Sequence, residues 1–356
     1  MEIKISSRLP MRGVIYALSA SFLFGITTPV AKILLHNSMP VLLAGLFYIG
    51  SGVGLTICLL TFQKMQFSKS GPSLRKSEMP CLAGAIFSGG VVAPVLLMTG
   101  LASTQASATS LFLNFESVFT ALIAWFVFRE NFDRRIFLGM LLIILGGVFL
   151  SVDFSLGLKL SKGVLLIAGA CFFWAVDNNL TRKISNANPM QITCLKGLSA
   201  GLTNILLAIL IGAKLPSNAV IAASIFIGFF GYGISLVLFV LALRHIGTAR
   251  TGAYFGLAPF IGAIVSIIFL NEPIKLPFIA AALLMIAGLW LHITENHSHE
   301  HQHDVVEHEH EHVHDEHHQH PHDFDAPPGV PHTHKHKHEM LYHKHPHYPD
   351  LHHDHY

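Results

Sequence analysis

Three ionisable residues, Glu116, Asp177 and Lys196, lie inside long apolar stretches of this sequence. An ionisable side chain at the depth of a bilayer costs about 2.5–3.5 kcal/mol on insertion scales, so each of them requires a partner or a function. Asp177 and Lys196 carry opposite charges and are expected at matching depth, roughly 9–11 Å from the ends of two consecutive helices. The sequence therefore predicts a buried ion pair, which either fixes helix packing or binds a substrate or a proton.

Glu116 lies in the middle of the segment LNFESVF. In a continuous helix it would be about 17–18 Å from either end. Desolvation at that depth favours the neutral carboxyl group, which suits Glu116 to take up a proton and to release it when water enters. The alternative is a permanently protonated side chain that only packs. The amides Asn114, Asn178 and Asn179 could complete a binding cavity, or could hydrogen-bond between helices.

A second group of chemically active residues lies near the C-terminus, where 22 of the 25 histidines follow position 296 and alternate with twelve acidic residues. Neutral imidazoles bind Zn, Ni, Cu and Co, and H-x-H spacing lets neighbouring rings share one ion. The alternative is a charge brush that responds to pH, because histidine titrates near about pH 6.5. The candidate metal ligands are His308, His310, His312, His314, His317, His318, His320, His322, His332, His334, His336 and His338.

The composition indicates which elements must position these residues. The chain is 52% hydrophobic and 12% charged, against about 25% charged residues in a soluble chain. Only 8 of the 21 acidic residues precede Glu295, which is too few to hydrate a soluble surface. We therefore expect an all-α polytopic membrane protein. The ten predicted spans are 12–36, 40–62, 78–101, 104–128, 135–153, 162–183, 189–211, 216–243, 248–270 and 274–293.

The distribution of basic residues predicts the orientation. With the N-terminus inside, the inner connections hold fourteen Lys and Arg residues and the outer connections hold four. Positive charges concentrate on the cytoplasmic side of a membrane protein. Both termini, and so the histidine-rich tail, are predicted to face the cytoplasm from a multi-pass protein of the inner membrane. No basic patch interleaves with aromatic residues, so nucleic acid is not an expected partner.

The two halves of the chain resemble each other. GVIYALSASFLFGITTPVAK matches GVLLIAGACFFWAVDNNLTR, and TSLFLNFESVFTALIAWFVFRE matches TGAYFGLAPFIGAIVSIIFLNE. Each half has five predicted helices, and an odd number requires the second half to be inverted across the membrane, as in many secondary transporters. The expected organisation is a cytoplasmic N-terminus at 1–11, a first repeat at 12–153, a second repeat at 162–293 and a disordered tail at 294–356.

The segments FTALIAWFVFREN and LAPFIGAIVSIIFLNE, each followed by a glycine-containing apolar helix, resemble the drug/metabolite transporter superfamily in its ten-helix EamA branch. In that family the fourth helix of a repeat has a proline and, thirteen positions later, a glutamate. Pro259 and Glu272 fit this pattern, whereas Ser117 and Glu130 fit the spacing without the proline. The resemblance covers about 12–293 and leaves the tail outside.

The family's second helix opens with proline and carries a basic residue seven positions later. Pro189 and Lys196 fit this pattern, whereas Pro40 is followed by Phe47. The resemblance implies a proton- or gradient-coupled carrier of a small metabolite, often an exporter. The implied partners are a small-molecule substrate and the lipid bilayer, whereas divalent transition metals are expected as partners from the histidines of the tail alone.

Two other functions stay open at this point. One is a transition-metal carrier for Zn, Ni or Co whose tail collects the ion, although His36, His245 and His292 all lie at predicted helix ends. The other is a membrane-anchored metal sensor. An enzyme is not expected, because the sequence has no P-loop, G-x-S-x-G or H-E-x-x-H motif. No cofactor is expected to be required, and Zn or Ni are candidate ions for the tail. The sequence leaves a homodimer as an alternative to a monomer.

Overall fold

The computed structural model describes residues 11–61, 72, 74–128, 134–151, 161–184, 187–293, 297–303, 307–312, 332–337 and 341–347. The chain divides into two compact units, Met1–Glu295 and Asn296–Tyr356. Within its described residues the first unit is entirely helical, and the second unit contains short strands.

The first half of the helical unit contains seven α-helices and one π-helical segment, in which each turn holds an additional residue. A 3₁₀ turn, Lys76–Glu78, precedes α3, and we call the segment between α3 and α4 the first π segment. The bounds are α1 Met11–Leu34, α2 Pro40–Thr61, α3 Met79–Ala85, first π segment Ile86–Val92, α4 Ala93–Ala102, α5 Ala106–Phe112, α6 Phe115–Phe128 and α7 Arg134–Ser151.

The second half repeats this order with small differences. Its first two helices begin at capping residues: the Ser161 hydroxyl accepts from the backbone amide of Val164, and the Asn188 side chain accepts from that of Met190. Such caps satisfy amides that have no partner inside the helix. The bounds are α8 Lys162–Lys183, α9 Pro189–Leu210, α10 Asn218–Ile227, second π segment Gly228–Ile234, α11 Ser235–Phe255, α12 Ala258–Leu270 and α13 Leu276–Ile293.

The structure repeats at the level of elements and of contacts. The second π segment and α13 each begin and end 142 positions after the first π segment and α7. Helix α1 packs on α11 and α12, and its counterpart α8 packs on α4 and α6. Helices α2 and α9 pack on each other, as do α7 and α13. The two halves therefore exchange equivalent contacts. Their inversion across a membrane stays a prediction that rests on the odd number of spans in each half.

Glycines bring the central helices α2 and α9 into close contact. A Cβ atom on Gly52 would lie 2.5 Å from the backbone nitrogen of Leu198, and one on Gly201 would lie 2.6 Å from that of Ile49. These two contacts are equivalent in the repeat. Small residues allow helices to approach in a bilayer, where association depends on close packing.

Eight helical stretches within the described residues are long and apolar enough to cross a membrane. Two shorter apolar helices, Ala258–Leu270 and Leu276–Leu291, follow them. The prediction of ten full spans is thus not reproduced. The predicted connection before span 248–270 is helical, because α11 continues as far as Phe255. A turn at Gly256 and Leu257 then leaves α12 with only 13 residues.

The described parts of the tail form four strands, where composition predicted a disordered segment. Strand β1, His297–His303, pairs antiparallel with β4, Leu341–His347. Strand β2, Glu307–His312, pairs antiparallel with β3, His332–Lys337. Composition alone takes no account of the order of residues. In each of the four strands three or more histidines alternate with other residues, which matches the two-residue period of a strand.

Removal of residues 297–356 is expected to leave the helical unit folded and inserted, because its last described helix ends at Ile293. The thermal midpoint should change by less than about 2–4 °C. Circular dichroism of the purified protein and its recovery from membranes test this. A longer truncation from residue 274, which deletes α13, is the control and should prevent folding. Equal loss of helical content in both truncations would contradict the independence of the helical unit.

Candidate functional site

Asp177 and Lys196 form the expected ion pair. The Lys196 ammonium donates to both carboxylate oxygens of Asp177, with Nζ 2.6 Å from Oδ1 and 2.6 Å from Oδ2. The side chains are only 11% and 9% exposed for Lys196 and Asp177. The Thr181 hydroxyl donates to Asp177 Oδ1 over 2.8 Å. The carboxylate thus has three donor contacts, which offset part of the cost of burying it.

The first π segment lies between the helices that carry this pair. A Cβ atom on Gly89 would overlap the Asp177 carboxylate of α8, and one on Gly90 would lie 2.6 Å from Cβ of Ala200 in α9. The two charges therefore meet across the first π segment. The sequence predicted only that they lie at matching depth on two consecutive helices. Because Gly89 has no side chain, the carboxylate can reach Lys196 across it.

Side chains from three helices bind the carbonyl groups of this segment. The Tyr48 hydroxyl and Trp174 Nε1 both donate to Gly89 O, over 2.6 and 3.0 Å. Asn204 Nδ2 donates to Gly90 O over 3.0 Å. Buried carbonyl groups require partners, and π segments are frequent at functional sites. None of these three donors is among the predicted site residues. The only signal in the sequence is the Gly89–Gly90 pair inside an apolar helix.

Glu116 lies close to the ion pair but outside it. Its Oε1 accepts a hydrogen bond of 2.7 Å from Asn178 Nδ2, and Asn178 directly follows Asp177 in α8. The sequence placed Glu116 in the middle of a continuous helix. In the structure it lies in the first turn of α6, directly after a break at Leu113–Asn114. A helix N-terminus stabilises an ionised carboxylate, whereas desolvation favours the neutral carboxyl group.

Asn114 does not join this cluster. Its Nδ2 donates to the backbone oxygen of Leu111 over 2.9 Å and contacts Met285 Sδ at 3.9 Å. The residue is 4% exposed. The Asn114 amide thus binds a backbone oxygen at the break between α5 and α6, where the helical hydrogen bonds are interrupted. Of the five predicted pathway residues, the structure brings Glu116, Asp177, Lys196 and Asn178 together and places Asn114 elsewhere.

The cluster reaches the surface of the protein towards the end of α8, at Asn178. Asn178 is exposed, although Trp174 and Cys171, four and seven positions earlier, are only 7% and 0% exposed. Residues with this spacing share one face of a helix. Phe172, on another face, is 43% exposed. The face of α8 that is buried at Cys171 and Trp174 is therefore exposed at Asn178, which hydrogen-bonds Glu116.

Aromatic rings surround the other side of the site. The Tyr232 ring lies 5.4 Å from that of Tyr48, 5.8 Å from that of Phe24 and 5.7 Å from that of Phe47, measured between centroids. The Phe24 ring also lies 6.4 Å from Trp174. Tyr48 and Trp174 both hydrogen-bond Gly89. The site thus combines charged groups with aromatic surface, an arrangement that can bind a small molecule with polar and apolar parts.

A second polar cluster, which we call the clamp, holds the turn between α4 and α5. Lys32 Nζ donates to the backbone oxygens of Leu101, Ala102 and Thr104 over 2.7, 3.2 and 2.7 Å. A cation at these carbonyl groups is favourable, because the C-terminal end of a helix carries partial negative charge.

Glu272 completes the clamp from the segment after α12. Its carboxylate oxygens accept from the backbone amides of Ala106 and Ser107 over 2.7 and 2.8 Å, at the start of α5. The same turn packs near Gly163 at the start of α8, where a Cβ atom would lie 3.1 Å from Gly100 O. Asp177 is fourteen residues further along α8, or about 21 Å. The clamp and the ion pair therefore lie towards opposite ends of the same bundle.

Among the described residues of the helical unit, no group of three or more His, Cys, Asp or Glu side chains could hold a metal ion. The predicted tail ligands fall partly on strands: His308, His310 and His312 lie in β2, and His332, His334 and His336 lie in β3. The remaining predicted ligands lie outside the described residues, and they are His314, His317, His318, His320, His322 and His338.

A bundle of apolar helices in two similar halves, with an ion pair and a carboxyl group in its interior, is typical of membrane transport proteins. The family model of the EamA-like transporter family matches residues 11–152 and 161–294, one match in each half. The chain belongs to this family, within the drug/metabolite transporter superfamily, and it is a multi-pass membrane transporter.

Individual relatives agree with this assignment. A protein of Methanothermobacter thermautotrophicus named as an uncharacterized transporter is 30% identical over 293 residues, covering 78% of this chain and 85% of the relative. A Salmonella typhimurium protein with the name "Probable amino-acid metabolite efflux pump" is 26% identical and covers 78% of this chain and 93% of the relative. A solved crystal structure matches with a TM-score of 0.59 and 16% identity, over 78% of this chain and 94% of that one, which supports the fold.

The ion pair predicts a non-additive pair of substitutions. Asp177→Asn or Lys196→Met alone strands one buried charge and should cost about 3–5 kcal/mol of stability. The double variant removes both charges and should recover most of the loss. Thermal unfolding and the yield of monodisperse protein measure this. A double variant that is less stable than either single one would show that the two charges do not stabilise each other.

Gly89 predicts a steric effect on the same pair. Gly89→Ala places a Cβ atom into the Asp177 carboxylate, so the pair or the π segment must shift, with a loss approaching about 3–5 kcal/mol if the pair breaks. The matched control is Gly252→Ala in α11, where a Cβ atom would meet nothing within 4 Å. The control should change stability by less than about 1 kcal/mol. Equal thermal midpoints for the two variants would contradict the tight fit at Gly89.

Proposed function

We propose that this transporter is a proton-coupled secondary carrier that exports a small organic metabolite, and that Glu116 carries the coupling proton. The observation that carries the proposal is the hydrogen bond of 2.7 Å from the exposed Asn178 to Glu116. In this scheme Asp177 and Lys196 position the site, and Glu116 changes its protonation state.

The partners of the two carboxyl groups differ in a way that supports this division. Asp177 faces the ammonium of Lys196, which donates to both of its carboxylate oxygens. Glu116 faces the neutral amide of Asn178. An amide has both a donor and an acceptor group, so by rotation it can bind either a carboxylate or a carboxylic acid. Glu116 can therefore keep a hydrogen bond in both protonation states.

The clamp supports alternating access as the mechanism. Lys32 and Glu272 bind the turn between α4 and α5 at one end of the bundle, while Asn178 is exposed towards the other end. This arrangement is the one expected of a carrier that is closed on one side and open on the other. We propose that the protein lies in the inner membrane with the open side, both termini and the tail in the cytoplasm, which the distribution of Lys and Arg supports.

The substrate that we propose is a metabolite of about amino-acid size with a charged group and an apolar part. The Asp177 carboxylate lies against Gly89, and Tyr48 and Trp174 both donate to the backbone oxygen of Gly89, so one ligand could contact the charged groups and the aromatic rings. The printed name of the Salmonella relative, an amino-acid metabolite efflux pump, is consistent with this substrate class.

For the tail we propose an accessory function, the binding of Zn²⁺ or Ni²⁺ beside the carrier. Its alternating histidines provide the ligand type that these ions prefer. The ions would be buffered or sensed by the tail and would not pass through the helical unit. Transport of the metal itself is the competing proposal, and uptake of Zn²⁺ into proteoliposomes by the truncated protein would favour it.

The proton role of Glu116 predicts a split between two transport modes. Glu116→Gln should abolish uptake of labelled amino acids into proteoliposomes under an imposed pH gradient, because an amide cannot release a proton. Exchange of labelled for unlabelled amino acid without a gradient should continue, since it requires no net proton transfer. Both rates are measured with a mixture of the common amino acids as the probe.

Glu78→Gln, at the 3₁₀ turn before α3, is the matched control and should retain both modes. Gradient-driven uptake by Glu116→Gln at the wild-type rate would remove Glu116 from proton coupling. Loss of both modes in a folded variant would assign Glu116 to substrate binding instead. Absence of any uptake by the wild-type protein would reject the proposed substrate class.

A further inference from the structure

The register of the tail strands places histidine opposite histidine at three alternate positions in each ladder, that of β2 with β3 and that of β1 with β4. In the second ladder His303 faces Leu341 instead. The facing positions in the first ladder are His308 and His336, His310 and His334, and His312 and His332. Those in the second are His297 and His347, His299 and His345, and His301 and His343.

This register brings the histidine positions onto one face of each ladder. Alternate residues of a strand share a face, and directly opposite residues have Cβ atoms about 4.5–5.5 Å apart. An imidazole nitrogen binds Zn²⁺ at about 2.0–2.1 Å, so two rings at opposite positions can reach one ion between them. Histidines separated by one residue along a single strand lie about 6.6 Å apart, which is also within reach. The register therefore adds partners from the opposite strand to each H-x-H pair.

Three of the six facing pairs between the histidine pairs carry complementary charges. Glu307 is opposite Lys337 and Glu309 is opposite Lys335 in one ladder, and Glu300 is opposite Lys344 in the other. Opposite charges at facing positions stabilise a strand pair, whereas like charges destabilise it. A slip by one residue would place histidines against these charged residues. The charge pattern therefore favours the register that aligns the histidines.

We propose that each ladder is a transition-metal site in which Zn²⁺ or Ni²⁺ joins histidines from two distant parts of the tail. Two-stranded ladders are marginally stable in water, so the bound ion would supply much of the stability of the pairing. The metal thus couples its own binding to closure of the tail. This proposal rests on the metal-binding function proposed for the tail and is independent of the substrate of the helical unit.

The two ladders are nested, and this arrangement makes binding cooperative. The ladder of β2 with β3 lies between β1 and β4 in sequence, so its formation brings the outer strands close together. Without it, pairing of the outer strands closes a loop that contains every residue between positions 303 and 341. Because the entropy cost of closure grows with the length of the loop, the inner ion should increase the affinity of the outer site.

The test uses full-length protein in detergent with Zn²⁺ as the probe, measured by equilibrium dialysis and elemental analysis at pH 7.5. One variant replaces the three histidines of β2 with asparagine, a second replaces the three of β3, and a third combines them. Shared ions predict that both single-strand variants lose the same number of ions and that the combined variant loses no more. Additive losses in the combined variant would place separate H-x-H sites on each strand and overturn the pairing.

A matched control replaces His317, His318 and His320, which lie between β2 and β3 in sequence. Whatever loss it causes should add to that of the β2 variant, because these positions have no part in the ladder. Dependence on histidine also predicts release of most of the zinc below about pH 5.5. Absence of saturable zinc binding by the wild-type protein would reject the metal function itself, whereas binding with additive losses would reject only the register.

Native residues provide a second measurement of the register. A carbodiimide joins a carboxylate to an amine that it touches, so Zn²⁺ should increase the yield of the Glu309–Lys335 and Glu300–Lys344 crosslinks in mass spectra. The Glu300–Lys335 crosslink, between different ladders, serves as the control and should not increase. A rise of all three crosslinks together would indicate unspecific collapse of the tail and contradict the proposed pairing.

Discussion

The buried ion pair between Asp177 and Lys196 constrains much of the helical unit. Two charges in a low-dielectric interior are tolerated only at short distance and with further hydrogen bonds. The short distance requires Gly89, since any side chain there would occupy the space of the carboxylate. Gly89 lies in a π segment, and the carbonyl groups of that segment take donors from Tyr48 and Trp174. One electrostatic requirement therefore specifies a glycine, a helix irregularity and the side chains around it.

Glu116 differs from this pair because its partner is neutral. The Asp177 carboxylate accepts hydrogen bonds from the Lys196 ammonium and the Thr181 hydroxyl, and so it suits a positioning role. A carboxyl group beside the amide of Asn178 can change state without losing its hydrogen bond. Its counterpart in the second half, 142 positions later, is Ala258, whose backbone oxygen would lie 2.7 Å from a Cβ atom on Gly25. The repeat thus supplies the scaffold, and in the proposed function a departure from it at this position supplies the proton-carrying group.

The clamp shows a related departure from symmetry. Lys32 and Glu272 bind the two ends of the turn between α4 and α5, which separates those helices. At the equivalent place in the second half, α11 continues without a turn as far as Phe255. The two halves therefore hold equivalent segments in different conformations. In a carrier with two similar halves, opening on one side results from such a difference in conformation between equivalent segments.

Hydropathy and charge in the sequence were sufficient for the class of protein, the internal repeat and the Asp177–Lys196 pair, because burial in a bilayer penalises every unpaired charge. The sequence also identified Glu116 and Asn178 as polar residues within apolar helices. Only the tertiary structure placed Gly89 between the two charges, used Asn114 at a helix break and joined Lys32 and Glu272 to one turn. Hydropathy averages over a window of side chains and carries no information on where backbone hydrogen bonds are interrupted. Contacts between residues as distant as Glu272 and Ala106 depend on how whole helices pack, which no local pattern in the sequence encodes.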